Sequence, residues 1–242
     1  MPCSQIFSKL PTDNGMCCSF NMKSAEDIFI HGTFSRLITN LQENDKKKSF
    51  DQNSFNNDLS NMGGTRSEPG LSEGLTVILD AHSDILSASS VDSNTHGFTG
   101  LISSRGSFPQ RMLRSFEIKP GHNNLVAVSG TIIESDIELM QIAPAARNCY
   151  FEWENSLMKI YNNYTQANCL FECNLFYAQK QMQLQCFPWY YQSNDSYPTI
   201  CDPWQAAEML QIMENIPDRH CKHCLPDCSS TILKMRISTA PL

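Results

Sequence analysis

Cys169-Leu170-Phe171-Glu172-Cys173 and His220-Cys221-Lys222-His223-Cys224 are the stretches whose reading decides the fold. Both lie between Cys149 and Cys228, a region that also holds Cys186 and Cys201 and so takes eight of the chain's 11 cysteines. Disulfides or a metal account for such density. Leu157, Ile160, Tyr161 and Tyr164 recur at helical spacing and predict a helix over Trp153 to Lys180, from which Cys169 and Cys173 leave one face about 6 Å apart. A second helix is expected over Pro203 to Ile216. The segment carrying Cys221 and Cys224 returns after the turn-rich run Cys186 to Pro203, antiparallel to the segment it left. That geometry favours nested pairs: Cys149 with Cys228, Cys169 with Cys224, Cys173 with Cys221, and Cys186 with Cys201. It is one preference among on the order of a hundred connectivities.

The alternative is structural zinc, held by Cys221 and Cys224 with His220 and His223 beside them and Cys169 and Cys173 as a second pair. It leaves four cysteines over, and two glycosylation sequons, Asn163-Tyr164-Thr165 and Asn194-Asp195-Ser196, fall in the same region. Disulfides are therefore the favoured reading, with glycans expected on Asn163 and Asn194 and with no metal or cofactor.

The motifs Arg147-Asn148-Cys149-Tyr150-Phe151, Cys169-Leu170-Phe171-Glu172-Cys173, Cys186-Phe187-Pro188-Trp189-Tyr190 and Cys221-x-x-Cys224-Leu225-Pro226-Asp227-Cys228 resemble, in order and spacing, the thumb of the degenerin/epithelial sodium channel family. The likeness is strongest to the insect pickpocket branch. That family has a further bridge whose ends would fall at Leu184 and near Met209, and this chain lacks both cysteines. Thr12-Asp13-x-Gly15-x-Cys17-Cys18-Ser19-Phe20-Asn21 resembles a palm strand of the same family, and the resemblance implies a bridge from Cys3 to Cys17 with Cys18 left over. The implied fold is α+β: a β-rich palm and finger-like region over 1–148, a disulfide-stapled helical thumb over 149–228, and a return strand over 229–242 leading towards a second membrane helix.

Palm strands are expected around Cys17, at Gly74-Leu75-Thr76-Val77-Ile78-Leu79-Asp80, at Gly97-Phe98-Thr99-Gly100-Leu101-Ile102, over Asn124 to Glu138 after the Pro120-Gly121 turn, and over Thr231 to Ser238. In the family, Gly100 is usually a larger apolar residue and Ser103 a histidine. Ala25 to Leu41 reads as a short helix, and the polar run over 40–70, with Lys46-Lys47-Lys48 among acids, as a solvated loop.

The formal net charge of -7 over 242 residues argues against nucleic acid or an anionic membrane surface as the main partner. No run of 18 apolar residues is present, so no membrane helix is expected within the chain, and Met1-Pro2-Cys3-Ser4-Gln5 lacks the form of a signal peptide. No phosphate loop, nucleophile elbow or zinc-protease motif occurs, and His82 between Asp80 and Asp84 reads as a strand-end histidine, so the chain is not expected to be an enzyme.

Two functional classes follow. The resemblance implies the extracellular region of a stimulus- or ligand-gated, amiloride-sensitive-type sodium channel subunit at the plasma membrane. Such a subunit assembles as a homo- or hetero-trimer and passes sodium ions once membrane helices, absent here, are supplied, so the chain is expected to be a fragment. The other class is a secreted cysteine-rich binding protein.

Overall fold

A computed structural model describes residues 7–13, 15–30, 74–81, 97–110, 115–184, 186–190, 199–217 and 220–242. Chain contacts group into two units: Met1–Ile38 with Leu101–Ser115 and Ala127–Arg236, and Thr39–Gly100 with Phe116–Val126 and Ile237–Leu242. They cut across the sequence-based division at 148 and 228.

In the first unit, β1 (Ser8–Thr12) and β2 (Gly15–Ser19) form an antiparallel hairpin that pairs Leu10 with Cys17 and Lys9 with Cys18. Gly15 has φ +116, a conformation that favours glycine at this turn. Alternation puts neighbouring residues on opposite faces, so Cys17 and Cys18 point to opposite sides. The expected Cys3–Cys17 bridge is therefore corrected. Cys17 is a free thiol on the side of buried Leu10 and Thr12, its Sγ 3.2 Å from Thr12 Oγ1. The neighbour across the pleat, Cys18, is the disulfide-bonded one. Cys3 lies outside the described residues.

The expected helix over Ala25 to Leu41 is seen as one turn, α1 (Ala25–Ile28), capped by Ser24; residues 31–41 lie outside the described set, with the polar run over 40–70, His82 and Asp84. Phe29 then leaves the helix and pairs antiparallel with Tyr161. Ile30 N–H donates to Ile160 at 2.8 Å and Asn162 N–H to Ile28 at 2.9 Å.

That pairing explains why the expected helix over Trp153 to Lys180 is too long. Residues 153–164 form turns and a short extended piece, and α3 (Gln166–Met182) begins only after Thr165, whose Oγ1 caps the N–H of Asn168; the short α2 (Pro144–Arg147) precedes them. Ile160, Tyr161 and Tyr164 are each 1% exposed, so their helix-like spacing comes from a loop that buries them, while Leu157 stays exposed.

α4 (Pro203–Glu214) packs on α3. Its start is a capping box in which the Asp202 carboxylate accepts from Gln205 N–H and the Gln205 side chain accepts from Asp202 N–H. Between the helices, β6 (Cys186–Phe187) and β7 (Thr199–Ile200) pair in parallel. Leu175, Ala178 and Met209 are fully buried, and Phe108, Tyr161, Phe171 and Tyr190 form a ring cluster with centroids 5.3 to 6.5 Å apart. Leu184 and Met209, where the family has a bridge, join this same apolar core. Asn168, also buried, is satisfied: its Oδ1 accepts from Phe108 N–H at 2.8 Å and its Nδ2 donates to Gly106 at 3.2 Å.

β5 (His122–Ile133) and β8 (Ser230–Pro241) make a long two-stranded ribbon, and β3 (Phe98–Leu101) pairs with β4 (Ser115–Ile118). A Cβ on Gly100 would meet the Phe116 ring at 2.3 Å, so a cross-strand phenylalanine fills the space of the larger residue usual in the family. The chain thus mixes helices and strands, but the described strands lie in separate two-stranded sheets. Gly74 to Asp80 is corrected: it carries no strand, and Leu75, Val77, Ile78 and Leu79 are 51, 42, 97 and 45% exposed. Apolar β-rich composition does not make a strand without a partner edge. The expected strand over Asn124 to Glu138 ends at Ile133, and a 3-10 turn, Ile137–Gln141, capped by Asp136, takes its last residues.

Candidate functional site, a bridged joint between helix pair and ribbon

Four disulfides are present among the described residues: Cys149–Cys228, Cys169–Cys224, Cys173–Cys221 and Cys186–Cys201, with Cα separations of 5.0, 5.6, 6.1 and 4.9 Å. They join the same partners as the nested pattern. α3 supplies Cys169 and Cys173 one turn apart, and the segment after α4 brings Cys224 and Cys221 past them in the opposite direction. One ring nitrogen of His223 lies within 4.8 Å of the Cys169 and Cys224 sulfurs, a trio with metal-ligand spacing. Both sulfurs are spent in their bridge, so the trio offers one imidazole and the zinc alternative loses its donors.

The joint forms where the ribbon meets this bridged pair. Tyr150 N–H donates to Pro226 at 2.9 Å and Cys228 N–H to Tyr150 at 2.8 Å, so Tyr150 pairs its backbone with Pro226 and Cys228 next to the Cys149–Cys228 bridge. Asp227 between them accepts the first N–H of α3, from Gln166, at 2.9 Å, and Tyr164 Oη donates to Leu225 at 2.6 Å. Ser135, two residues beyond β5, donates its hydroxyl to the Cys228 carbonyl and its N–H to Ser229 Oγ at 3.1 Å. The end of β5 and the start of β8 are thus tied at the bridge.

Arg147 is the cation of this joint, its side chain only 2% exposed. Its Nε donates to Cys149 at 3.0 Å, Nη1 to Ile142 at 2.7 Å and Leu139 at 3.4 Å, and Nη2 to Glu154 Oε2, while Cζ sits 4.9 Å from the Phe151 ring centroid. Burial pushes the Glu154 carboxyl up, but the Arg147 hydrogen bond, the Phe151 N–H and the Arg147 charge together hold it below its ordinary value. Burial raises Asp227, helped by Glu152 and opposed by the Gln166 N–H. In α3, Glu172 is buried and accepts N–H groups of Lys159 at 2.7 Å and Ile160 at 3.2 Å; burial raises it despite these bonds.

Asn163 is half-buried, with Nδ2 donating to Glu152 Oε1 at 2.7 Å, and the Thr165 of its sequon is the cap of α3; Asn194 lies outside the described residues. The joint's ionic parts were named in the sequence only as letters within motifs. Arg147 stands two before a cysteine, and Glu172 and Asp227 each stand one before one. A charge one or two positions before a cysteine is the signal that identifies them.

The chain belongs to an ion-channel family: the sequence profile of the amiloride-sensitive sodium channel family matches residues 1–242. Among its relatives in Drosophila melanogaster, Pickpocket protein 28 is 23% identical over 253 residues, covering 99% of this chain and 40% of that protein. Sodium channel protein Nach is 27% identical over 248 residues, covering 100% of this chain and 42% of that protein. The chain therefore spans about two fifths of the length of these relatives. The family is one of ion channels and not of enzymes. Among the described residues no helix is long and apolar enough to cross a membrane.

Proposed function

We propose that this chain is the extracellular, stimulus-sensing and assembly region of a trimeric, amiloride-sensitive-type sodium channel subunit at the plasma membrane. In this reading 1–148 is the palm and finger-like region, 149–228 the thumb and 229–242 the strand that returns towards the membrane. The observation that carries it is the joint: helix α3, cross-linked twice to the segment after α4 at Cys169–Cys224 and Cys173–Cys221, is tied through Cys149–Cys228 to the ends of a two-stranded ribbon. Bridges remove sliding and unfolding modes, so a displacement at the outer surface passes to the ribbon. Glycans on Asn163 and Asn194 belong to the same reading, with Asn163 glycosylated before its amide closes on Glu152.

The test is a chimaera in which membrane helices from a pickpocket relative flank this chain, expressed alone and with a partner subunit. Sodium current from a surface trimer is the expected result. A surface trimer that stays silent under every stimulus, even with an opening mutation in the borrowed pore, rejects the proposal in favour of a secreted binding protein.

A further inference from the structure

We propose that Arg147 is the positioning residue of the joint, fixing where the 3-10 turn Ile137–Gln141 stands against the segment that enters the Cys149–Cys228 bridge; its consequence for gating rests on the channel reading above. The turn has no buried residue of its own, and Ile137, Met140 and Ile142 are 66, 46 and 43% exposed. Burial therefore does not hold it. Its own hydrogen bonds are local: Asp136 caps it, Leu139 N–H donates to Asp136 and Ile142 N–H to Leu139. Among the described side-chain bonds, those that tie the turn to residues beyond it come from one guanidinium, to the Leu139 and Ile142 carbonyls.

The same guanidinium holds the other side of the joint. It donates to the Cys149 carbonyl, pairs with Glu154 and lies over the Phe151 ring, and Glu154 accepts from Phe151 N–H at 2.8 Å. One rigid, planar, always-charged fork thus joins the segment leaving β5 to the segment that enters the bridge. A lysine keeps the charge but, as a point donor on a flexible stem, cannot hold three carbonyls and a carboxylate at once. The position of the turn relative to Cys149 is in this way set by a single side chain.

The whole 242-residue chain, secreted from an oxidising compartment, is measured by amide hydrogen exchange as wild type, Arg147→Lys and Glu154→Gln. In Arg147→Lys the Leu139 and Ile142 amides exchange about tenfold faster, while the interior of α3 stays within about twofold. In Glu154→Gln the Phe151 amide accelerates and the turn stays within about twofold, because the carbonyl bonds remain. An unchanged turn in Arg147→Lys, equal acceleration throughout α3, or a turn loosened by Glu154→Gln as much as Phe151 would overturn the assignment.

In the chimaeric channel, Arg147→Lys at unchanged surface level is expected to shift the stimulus dependence of current. Altered exchange with unaltered gating rejects the coupling role. A silent parent chimaera rejects the channel reading instead, and the exchange result then stands on its own for the turn.

Discussion

At the scale of single residues, two buried groups make opposite demands. Glu172 is a carboxylate with two backbone donors, yet burial outweighs them and holds its pKa above the ordinary 4.5. For an acid with a raised folded pKa, its stabilising contribution is fully present below the unfolded value and is lost as pH rises through the folded one. Glu172→Gln removes that titration. The stability of wild type relative to Glu172→Gln, from urea unfolding across a pH series, is therefore expected to fall from pH 4.5 upward until the folded value is passed. A difference that is flat with pH would show that Glu172 does not titrate apart from its unfolded value. Tyr190 is the other case: it is 3% exposed within the ring cluster, and its hydroxyl has no partner among the described residues. Tyr190→Phe removes an unsatisfied polar atom and keeps the ring, so stability should be unchanged or higher by up to about 1 kcal/mol. A loss of that size would mean that the hydroxyl is satisfied in solution.

Elements were legible wherever a residue type dictated local geometry. The hairpin turn before Gly15, α4 from Pro203, and the turn at Gly121, which has φ +67, each rest on proline, glycine or a capping side chain that acts within a few residues. The cysteine ladder was legible because residues four apart on a helix and three apart on a returning segment reach only a few partners. What failed was apolar spacing read without its partner. The run Leu157 to Tyr164 has helical period but is a loop, drawn into an extended pairing with Ile28 to Ile30 more than 100 residues away. Leu75 to Leu79 has strand composition but pairs with no strand among the described residues. Cys17 and Cys18 were one residue out, because only the register with β1 tells which sulfur faces out. Local dictation can be measured at α4, whose capping box rests on Asp202. Asp202→Ala should cost about 1 kcal/mol, with early exchange of the Trp204 and Gln205 amides that the carboxylate holds at 2.9 and 2.8 Å. No change in those amides would show that packing on α3 holds the helix start unaided.

For the whole molecule, the question is whether the outermost bridge merely shortens the unfolded chain or also holds the joint. Cys149–Cys228 spans a sequence separation of 79 and Cys173–Cys221 one of 48. The bridges are nested, so with Cys169–Cys224 intact the loop each one closes is set by its short arms to that bridge, 149–169 with 224–228 for the outer pair and 169–173 with 221–224 for the inner one, and on the chain-entropy account the outer pair stabilises more by about 1 kcal/mol. Replacing both cysteines of a bridge by serine avoids the stray thiol of a single replacement. If loop entropy were everything, the two double variants would differ by that amount and no more. The joint argues otherwise: Cys149–Cys228 sits beside the Tyr150–Pro226 and Cys228–Tyr150 hydrogen bonds, the Ser135 contacts to Cys228 and Ser229 and the Arg147 bond to Cys149. Cys173–Cys221 lies on helix α3, which has its own backbone bonds and buried face to keep it in place. The Cys149/Cys228 double serine variant is therefore expected to lose at least about 2 kcal/mol more than the Cys173/Cys221 one in denaturant unfolding. Its excess exchange should concentrate at Ser135, Tyr150 and Cys228→Ser and spare the interior of α3. An excess of only about 1 kcal/mol, with exchange raised evenly over both segments, would reduce the outermost bridge to a chain tether and remove the joint as a mechanical element.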